Sequence, residues 1–454
     1  MTTENISNHA SLPTLKANVA GIDIGAEVIY AAIHKGNEEF VVQNFLTFTH
    51  DLHLLTKWLI EHGVKEVAME STGVYWIPLF QILEAQGIPV CLVNARHLKN
   101  VPGRKTDVKD AVWLQRLFSF GLLNASFRPK QHICAIRSLM RHRATLVEQA
   151  SSHVQRMQKS LTQMNLLLHT VISDLVGKSG LAILDSILAG ERDREKLAAM
   201  CDGRIRATPE VIVKSLEGDY REEHLFTLKQ CLRQYRSTQE LISECDLELE
   251  KMLAKTGNPA DPAAPAPPAA KKTRTDGKAL TFQKSDPRLE FHRLFGSDLT
   301  QVPGINLGSV ATLFSELGAD LSSFPTMGRF CSWLGLCPGS KISGEKVLSS
   351  KSRKVINRVS TALRRAATAL RRHKSHLGDF YRRMCARLGN AGGVTATAHK
   401  LAQILYFLIT TKTNYDETQF TQNTERNRLR NENQLRQKAA RFGFKLVAIE
   451  EIAA

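Results

Sequence analysis

Short apolar runs and polar gaps alternate over residues 18–120, and the pattern then changes character. Strand-like segments fall at about 18–24, 27–34, 38–45, 66–70 and 89–93, and helical spacing falls at 50–62, 74–86 and 106–120. Two hairpin-linked strands, a third, and then alternating helix and strand is the order of a ribonuclease-H-like α/β domain, although periodicity alone does not separate it from other mixed α/β folds. The stretch VAGIDIGAEVIYAAIH (19–34) is an apolar run broken by Asp23, between Gly21 and Gly25, that then resumes. It predicts two strands with a carboxylate buried at their centre. Burying an ionised carboxylate alone costs several kcal/mol or neutralises it, so a positive partner is expected, a divalent metal being the simplest. The alternative is a turn residue beside two glycines, and this stretch alone does not choose.

From 131 to 255 the pattern is that of long helices. Ala150, Val154, Met157, Leu161, Met164, Leu168, Val171 and Leu175 step by four and three alternately, a heptad seam that Gly177 and Gly180 are expected to end. A second helix is predicted at about 222–254, with Leu228, Tyr235, Ile242 and Leu249 on seven-residue spacing. Together they predict an antiparallel coiled-coil arm, serving as a spacer, as a dimerising surface, or as both. The segment 258–278 holds five prolines and six alanines and reads as a linker. Beyond it, DLTQVPGINLGSVATLFSELG (298–318) matches a helix-hairpin-helix, in which Gly304 and Gly308 would let the backbone approach a phosphate; an ordinary αα-turn also uses Pro-Gly. A Gly- and Ser-rich loop at 333–350, a basic amphipathic helix at 353–373 and helices at 394–411 and about 422–443 complete the chain. The expected organisation is an N-terminal tail (1–17), an α/β domain (18–130), the arm (131–256), the linker (257–288) and an all-α C-terminal domain (289–454).

Charge narrows the function class. The net charge of +17 favours a polyanionic partner, and residues 341–387 carry fourteen Lys/Arg against two acids, so this stretch supplies +12. The cations Lys341, Lys346, Lys351, Arg353, Lys354, Arg358, Arg364 and Arg365 are candidate nucleic-acid contacts. No run of eighteen apolar residues or signal-peptide pattern is present, so the expectation is a cytoplasmic protein, nucleoid-associated when bound to DNA, with no membrane partner. The eight cysteines form no C-x-x-C pair, which argues against zinc or a disulfide framework.

Three further carboxylates give Asp23 meaning. Glu70 ends the strand EVAME, where α/β domains place their sites. Asp107 and Asp110 are three apart at the start of a helix and share a face. The bland readings are a capping or surface role for Glu70, and a pair of acids suiting the helix dipole behind a Thr106 cap. As a set, the four carboxylates can converge in a ribonuclease-H-like fold, and their all-oxygen chemistry points to Mg²⁺ or Mn²⁺, two ions at roughly 3.5–4 Å stabilising the attacking and leaving oxygens of phosphoryl transfer. Arg104, Lys105 and Lys109 flank the last pair and suit substrate phosphates.

These motifs, GIDIG with Asp23, AMESTGVYW with Glu70 and GRKTDVKDA with Asp107 and Asp110, resemble the DEDD motif of the insertion sequence 110/1111 transposases, relatives of the Piv site-specific invertase. The segments VPGINLGSVATLFSELG and WLGLCP followed by a Ser-Gly resemble the second domain of that family. The resemblance implies a RuvC-like DEDD domain, a coiled coil and a C-terminal transposase domain. It also implies a recombinase guided by a structured noncoding RNA, the bridge RNA, that pairs with donor and target double-stranded DNA. A serine would form a covalent phosphoserine linkage to DNA; the family's Pro-then-Ser-Gly loop points to Ser343, with Ser340 as the fallback. The enzyme would act as a dimer or tetramer joined through the coiled coil. Two other readings stand beside it: a RuvC-like nuclease or Holliday-junction resolvase using metal and water only, and a non-catalytic nucleic-acid scaffold.

Overall fold

A computed structural model describes residues 14–35, 39–71, 73–94, 107–257, 279–344, 346–353, 355–418 and 421–445. The chain divides into two compact units, Met1–Arg128 and Pro129–Ala454.

The first unit is a mixed sheet with helices. Its elements are β1 (Val19–Ile24), β2 (Val28–His34), β3 (Phe40–Leu46), α1 (Thr49–Glu61), β4 (Glu66–Glu70), α2 (Trp76–Ala85), β5 (Val90–Val93) and α3 (Asp107–Ser119). The strand order is β3-β2-β1-β4-β5. The first three strands pair antiparallel, whereas β4 runs parallel to both β1 and β5. This arrangement is compatible with the ribonuclease-H-like domain expected from the pattern. Central β1 is covered on both faces, which is why it reads as a nearly continuous apolar run. Ala20 and Ile22 enter one core with Val67, Met69 and residues of α1 and α2, while Val19 joins Ala68, Cys91, Val93 and Phe118 in another.

The second unit is almost wholly helical. Two helices of 33 residues each, α4 (Gln131–Gln163) and α9 (Glu222–Ala254), pack along one another. Leu146 and Ala150 meet Ile242 and Cys245, and Met157 and Leu161 meet Leu228, Cys231 and Leu232, so the pair is antiparallel. The seam ends earlier than its spacing predicts. Asn165 takes a left-handed conformation (φ 56°), and the Leu166 amide donates back to the Leu161 carbonyl, the local bonding that stops a helix. Leu168, Val171 and Leu175 continue the heptad in sequence but are spent in a compact cap, beside Leu166 and Ile172. That cap is built from α5 (Leu168–Val171), α6 (Lys178–Leu188), α7 (Arg194–Ala199) and α8 (Pro209–Ser215).

The Pro/Ala-rich segment 258–278 lies outside the described residues. Residues 279–285, which the pattern assigns to the linker, are instead bonded to the helix pair. The Arg143 guanidinium pairs with the Asp246 carboxylate, both buried, and donates to the Ala279 carbonyl at 2.9 Å. Asp246 and Glu250 accept from the amides of Thr281, Gln283 and Lys284.

The chain then forms α10 (Pro287–Phe295), a 3-10 turn (Leu299–Gln301), α11 (Leu307–Leu317), α12 (Met327–Trp333), a hairpin of β6 (Lys341–Ser343) and β7 (Lys346–Ser349), α13 (Arg358–Ala369), α14 (His376–Thr411) and α15 (Thr421–Arg441). Three expectations are corrected here. The Gly/Ser-rich loop contains a β-hairpin, turned at Gly344 with φ +58°, because KIS and KVLS flank a residue able to adopt positive φ. The basic helix starts at Arg358, where Asn357 accepts from the Ser360 amide, and not at 353. The helix placed at 394 starts at His376 and is broken at Gly389 (φ 74°).

α11 packs on α4. Arg137 and Arg141 bind the buried Glu316, and Arg141 donates to both its oxygens at 2.9 and 2.7 Å.

Candidate active site

The face of β1 that carries Asp23 is shaped by a missing side chain. Alternation puts Val19, Gly21 and Asp23 on one face of the sheet. At Gly21 the backbone of α3 comes directly onto the strand: a Cβ there would lie 2.3 Å from both the Ala111 carbonyl oxygen and the Gln115 nitrogen. Only glycine permits that approach. Further along, Gln115 Nε2 donates to the Val19 carbonyl at 3.3 Å, and the amides of Leu15 and Lys16 donate to the Ser119 carbonyl at 2.9 Å. Residue numbers rise along α3 as they fall along β1. The helix therefore runs antiparallel to the strand, and its first turn, with Asp107 and Asp110, comes to the Asp23 end.

Parallel pairing brings Glu70 to the same place. Gly21 pairs with Ala68 and Ile22 with Met69, so Asp23 and Glu70 are the next residues on adjacent strands and share the α3 face. Asp23, Glu70 and Asp110 are each half-buried. Asp23 thus sits half-buried one residue from the end of β1, not in the sealed centre that the apolar run predicts. None of Asp23, Glu70, Lys109 and Asp110 stands without a partner. The side chain of Asp107 lies outside the described residues, as do Arg104, Lys105 and Thr106. Among the described residues, no group of three or more His, Cys, Asp or Glu is gathered closely enough to hold a metal ion.

Ser343 belongs to the second unit. It is the last residue of β6 and is exposed, as is Ser340 just before the strand. The hairpin root is held by the Gly339 amide donating to the Lys351 carbonyl at 3.0 Å and by Arg353 donating to the Ser332 carbonyl at 2.9 Å. Lys346, Lys351, Arg358 and Arg365 are exposed. Arg364 is half-buried and donates to Thr395 Oγ1 at 2.6 Å, which ties α13 to α14. Lys354 and the side chain of Lys341 fall outside the described residues. Gly304 has φ +87°, and a Cβ there would meet the Ala366 carbonyl at 2.7 Å and Leu370 at 3.1 Å. Helix packing therefore accounts for this glycine. Gly308 is exposed in the first turn of α11, where Asn306 already accepts from the Ser309 amide at 2.9 Å.

Comparison with known families decides what this frame belongs to. The family described as the DEDD transposase of IS110 matches residues 20–166, and the transposase IS116/IS110/IS902 family matches residues 296–382. The chain belongs to the IS110 family of transposases. No curated protein matches it. The transposase is an enzyme acting on DNA, and its first match spans the strands and helix that carry all four acids. Its second match spans the hairpin with Ser343 and the basic helix α13. Among the described residues no helix of the transposase is long and apolar enough to cross a membrane.

Sequence reasoning passed over Gly21 as a site residue, although it sets where Asp110 can lie. The signal was present in GIDIG: a glycine two residues before the acid, on the same face of a buried strand.

Proposed function

We propose that the transposase moves its element by cutting and rejoining double-stranded DNA with two sets of groups: the carboxylates Asp23, Glu70, Asp107 and Asp110, and the hydroxyl of Ser343. The observation that carries this reading is the docking of α3 on Gly21, which supports convergence of an acid-bearing helix turn on two acid-bearing strand ends. The donor set is carboxylate oxygen only, which fits Mg²⁺ or Mn²⁺ and no softer metal. Asp23, Glu70, Asp107 and Asp110 would hold such ions, which when bound stabilise charge on the entering and leaving oxygens of phosphoryl transfer.

The rest of the chemistry belongs to the chain. Ser343 Oγ loses its proton and bonds to phosphorus while the bond from phosphorus to the leaving oxygen breaks and that oxygen takes up a proton. The resulting serine phosphodiester keeps the energy of the cut bond, so a second DNA hydroxyl can reverse the step and rejoin strands. Lys109, Lys346, Lys351, Arg353, Arg358 and Arg365 supply positive charge for phosphates of DNA and of a structured guide RNA. The antiparallel pair α4 and α9 supports a coiled-coil arm through which copies of the chain associate as dimer or tetramer. This reading keeps an N-terminal RuvC-like domain, an arm and a C-terminal transposase domain as its working parts.

Substitution tests the proposal. With donor and target DNA, denaturing gels should show a protein–DNA adduct that Ser343→Ala removes together with strand exchange. Cleavage persisting in Ser343→Ala with no adduct in the wild type would establish a nuclease that uses water. Unchanged strand exchange in Asp23→Asn and Glu70→Gln would eliminate the carboxylate site. Sequencing of RNA that co-purifies with the transposase tests the guide.

A further inference from the structure

The hairpin that carries Ser343 has a second property that phosphate contact does not require. Ile342, on β6, and Leu348, on β7, are 64% and 67% exposed, and Ile356 at the hairpin's root is 99% exposed. Single exposed aliphatic residues are ordinary. Three within fifteen residues, none sheltered and all set among the exposed cations Lys346, Lys351, Arg353 and Arg358, describe a surface that is apolar and positive at once. The complement is a ligand with apolar faces flanked by anions. A base step in duplex DNA is such a ligand, since the stacked bases are apolar and the phosphates border them.

We propose that the β6–β7 hairpin is a wedge: its aliphatic side chains Ile342 and Leu348 enter duplex DNA and unstack a base step, while the surrounding cations hold the bordering phosphates. The proposal rests on the reading that this hairpin works on DNA at Ser343. The shape suits the task, because a two-stranded ribbon fits a DNA groove and aliphatic side chains are common inserting groups. Support is also present. The bridge between Pro338 and Ser352 closes the ribbon's base, and the bond from Arg353 to the Ser332 carbonyl together with the packing of Val355 onto Gly335, where a Cβ would lie 2.2 Å from the valine methyl, ties that base to the end of α12. Ile342 immediately precedes Ser343. An opened step beside the attacked phosphate would expose that phosphate to Ser343 Oγ and loosen the strand that must be exchanged.

The test uses the full-length transposase and two fluorescent DNA duplexes of one sequence, one fully paired and one with a central two-nucleotide mismatch bubble that is already unstacked. Unstacking a step costs a few kcal/mol, so the wild type should bind the bubbled duplex at least about tenfold more tightly. The double variant Ile342→Ser/Leu348→Ser should lose that preference while keeping the wild-type salt dependence, because no cation is removed. Both side chains are exposed, so the substitutions take nothing from the core. Restoring aliphatic bulk with Ile342→Leu/Leu348→Ile should restore the preference. Equal binding of both duplexes by the wild type, or a preference that survives in the serine variant, would overturn the wedge while leaving the DNA-acting site intact. Failure of the wild type to bind either DNA would instead remove the reading on which the wedge rests.

Discussion

Replacing Gly21 by alanine perturbs the candidate site without touching any group that reacts. The new methyl would stand 2.3 Å from the Ala111 carbonyl oxygen and the Gln115 nitrogen, and 2.9 Å from the Gln115 Cα, where ordinary contact begins at 3.4 Å. All three neighbours are backbone, so no side chain can swing aside, and α3 must retreat by about 1 Å from a close-packed interior. Overpacking of this kind costs about 1–3 kcal/mol, which the unit survives with a lowered melting temperature. The larger effect falls on chemistry. Displacement of α3 carries Asp107 and Asp110 away from Asp23 and Glu70, and a misplacement of this size costs about 100-fold in rate. The assay is strand exchange on donor and target DNA, followed on gels at a temperature where thermal melting shows the variant folded. Gly203→Ala is the control: a Cβ there has nothing within 4 Å, and stability should change by no more than about 0.5 kcal/mol. A folded Gly21→Ala variant with activity within a few-fold of wild type would refute the claim that α3 docking assembles the site.

Three further outcomes follow from the second unit. Arg143→Met leaves Asp246 buried with its charge uncompensated and should destabilise the unit by about 3–5 kcal/mol in chemical unfolding, with the amide exchange of Thr281 speeding up as its anchor loosens. Burial works to raise the pKa of Asp298, but hydrogen bonds from Thr300, Arg288 and Gln301 outweigh it and hold the carboxyl below its ordinary 3.8. Its stabilisation is therefore present above that value and lost as pH falls through the lower folded-state value; Asp298→Asn should be less stable than wild type at neutral pH, with the gap closing only below about pH 4. Burial, and then the neighbouring Cys337, push the Cys331 thiol up to about 12. In the native protein at mildly alkaline pH, alkylation read by mass spectrometry should spare Cys331 until the chain is unfolded.

The chain's own pattern was enough for the local elements of the first unit. Strand and helix periods located β1 to β5 and α1 to α3 within a residue or two, because each element's core-facing side chains repeat with a fixed geometric period. It also located α9, whose seven-residue spacing is used in full. It failed where an apolar period continued through a change of backbone direction. The heptad beyond Leu161 is indistinguishable in sequence from the one before it, yet Asn165 turns the chain and the later leucines fill the cap. Likewise, the string read as a loop at 333–350 contains a hairpin, since its strands of three and four residues are too short to show a period.

The candidate site divides in the same way. Residue type and order picked out the candidate side chains: four carboxylates, a serine beside glycine and a basic stretch. They also determined that Glu70 ends a strand and that Asp107 and Asp110 share a helix turn. What only tertiary structure decided is the direction from which α3 meets the sheet. That direction depends on contact between Gly21 and the backbone of residues some ninety positions later, and such a contact leaves no periodic trace because it is made by the absence of a side chain. The exposure of Ile342 and Leu348 was equally hidden. A stretch read as a loop does not tell which of its aliphatic side chains the rest of the chain covers, and here they stay exposed.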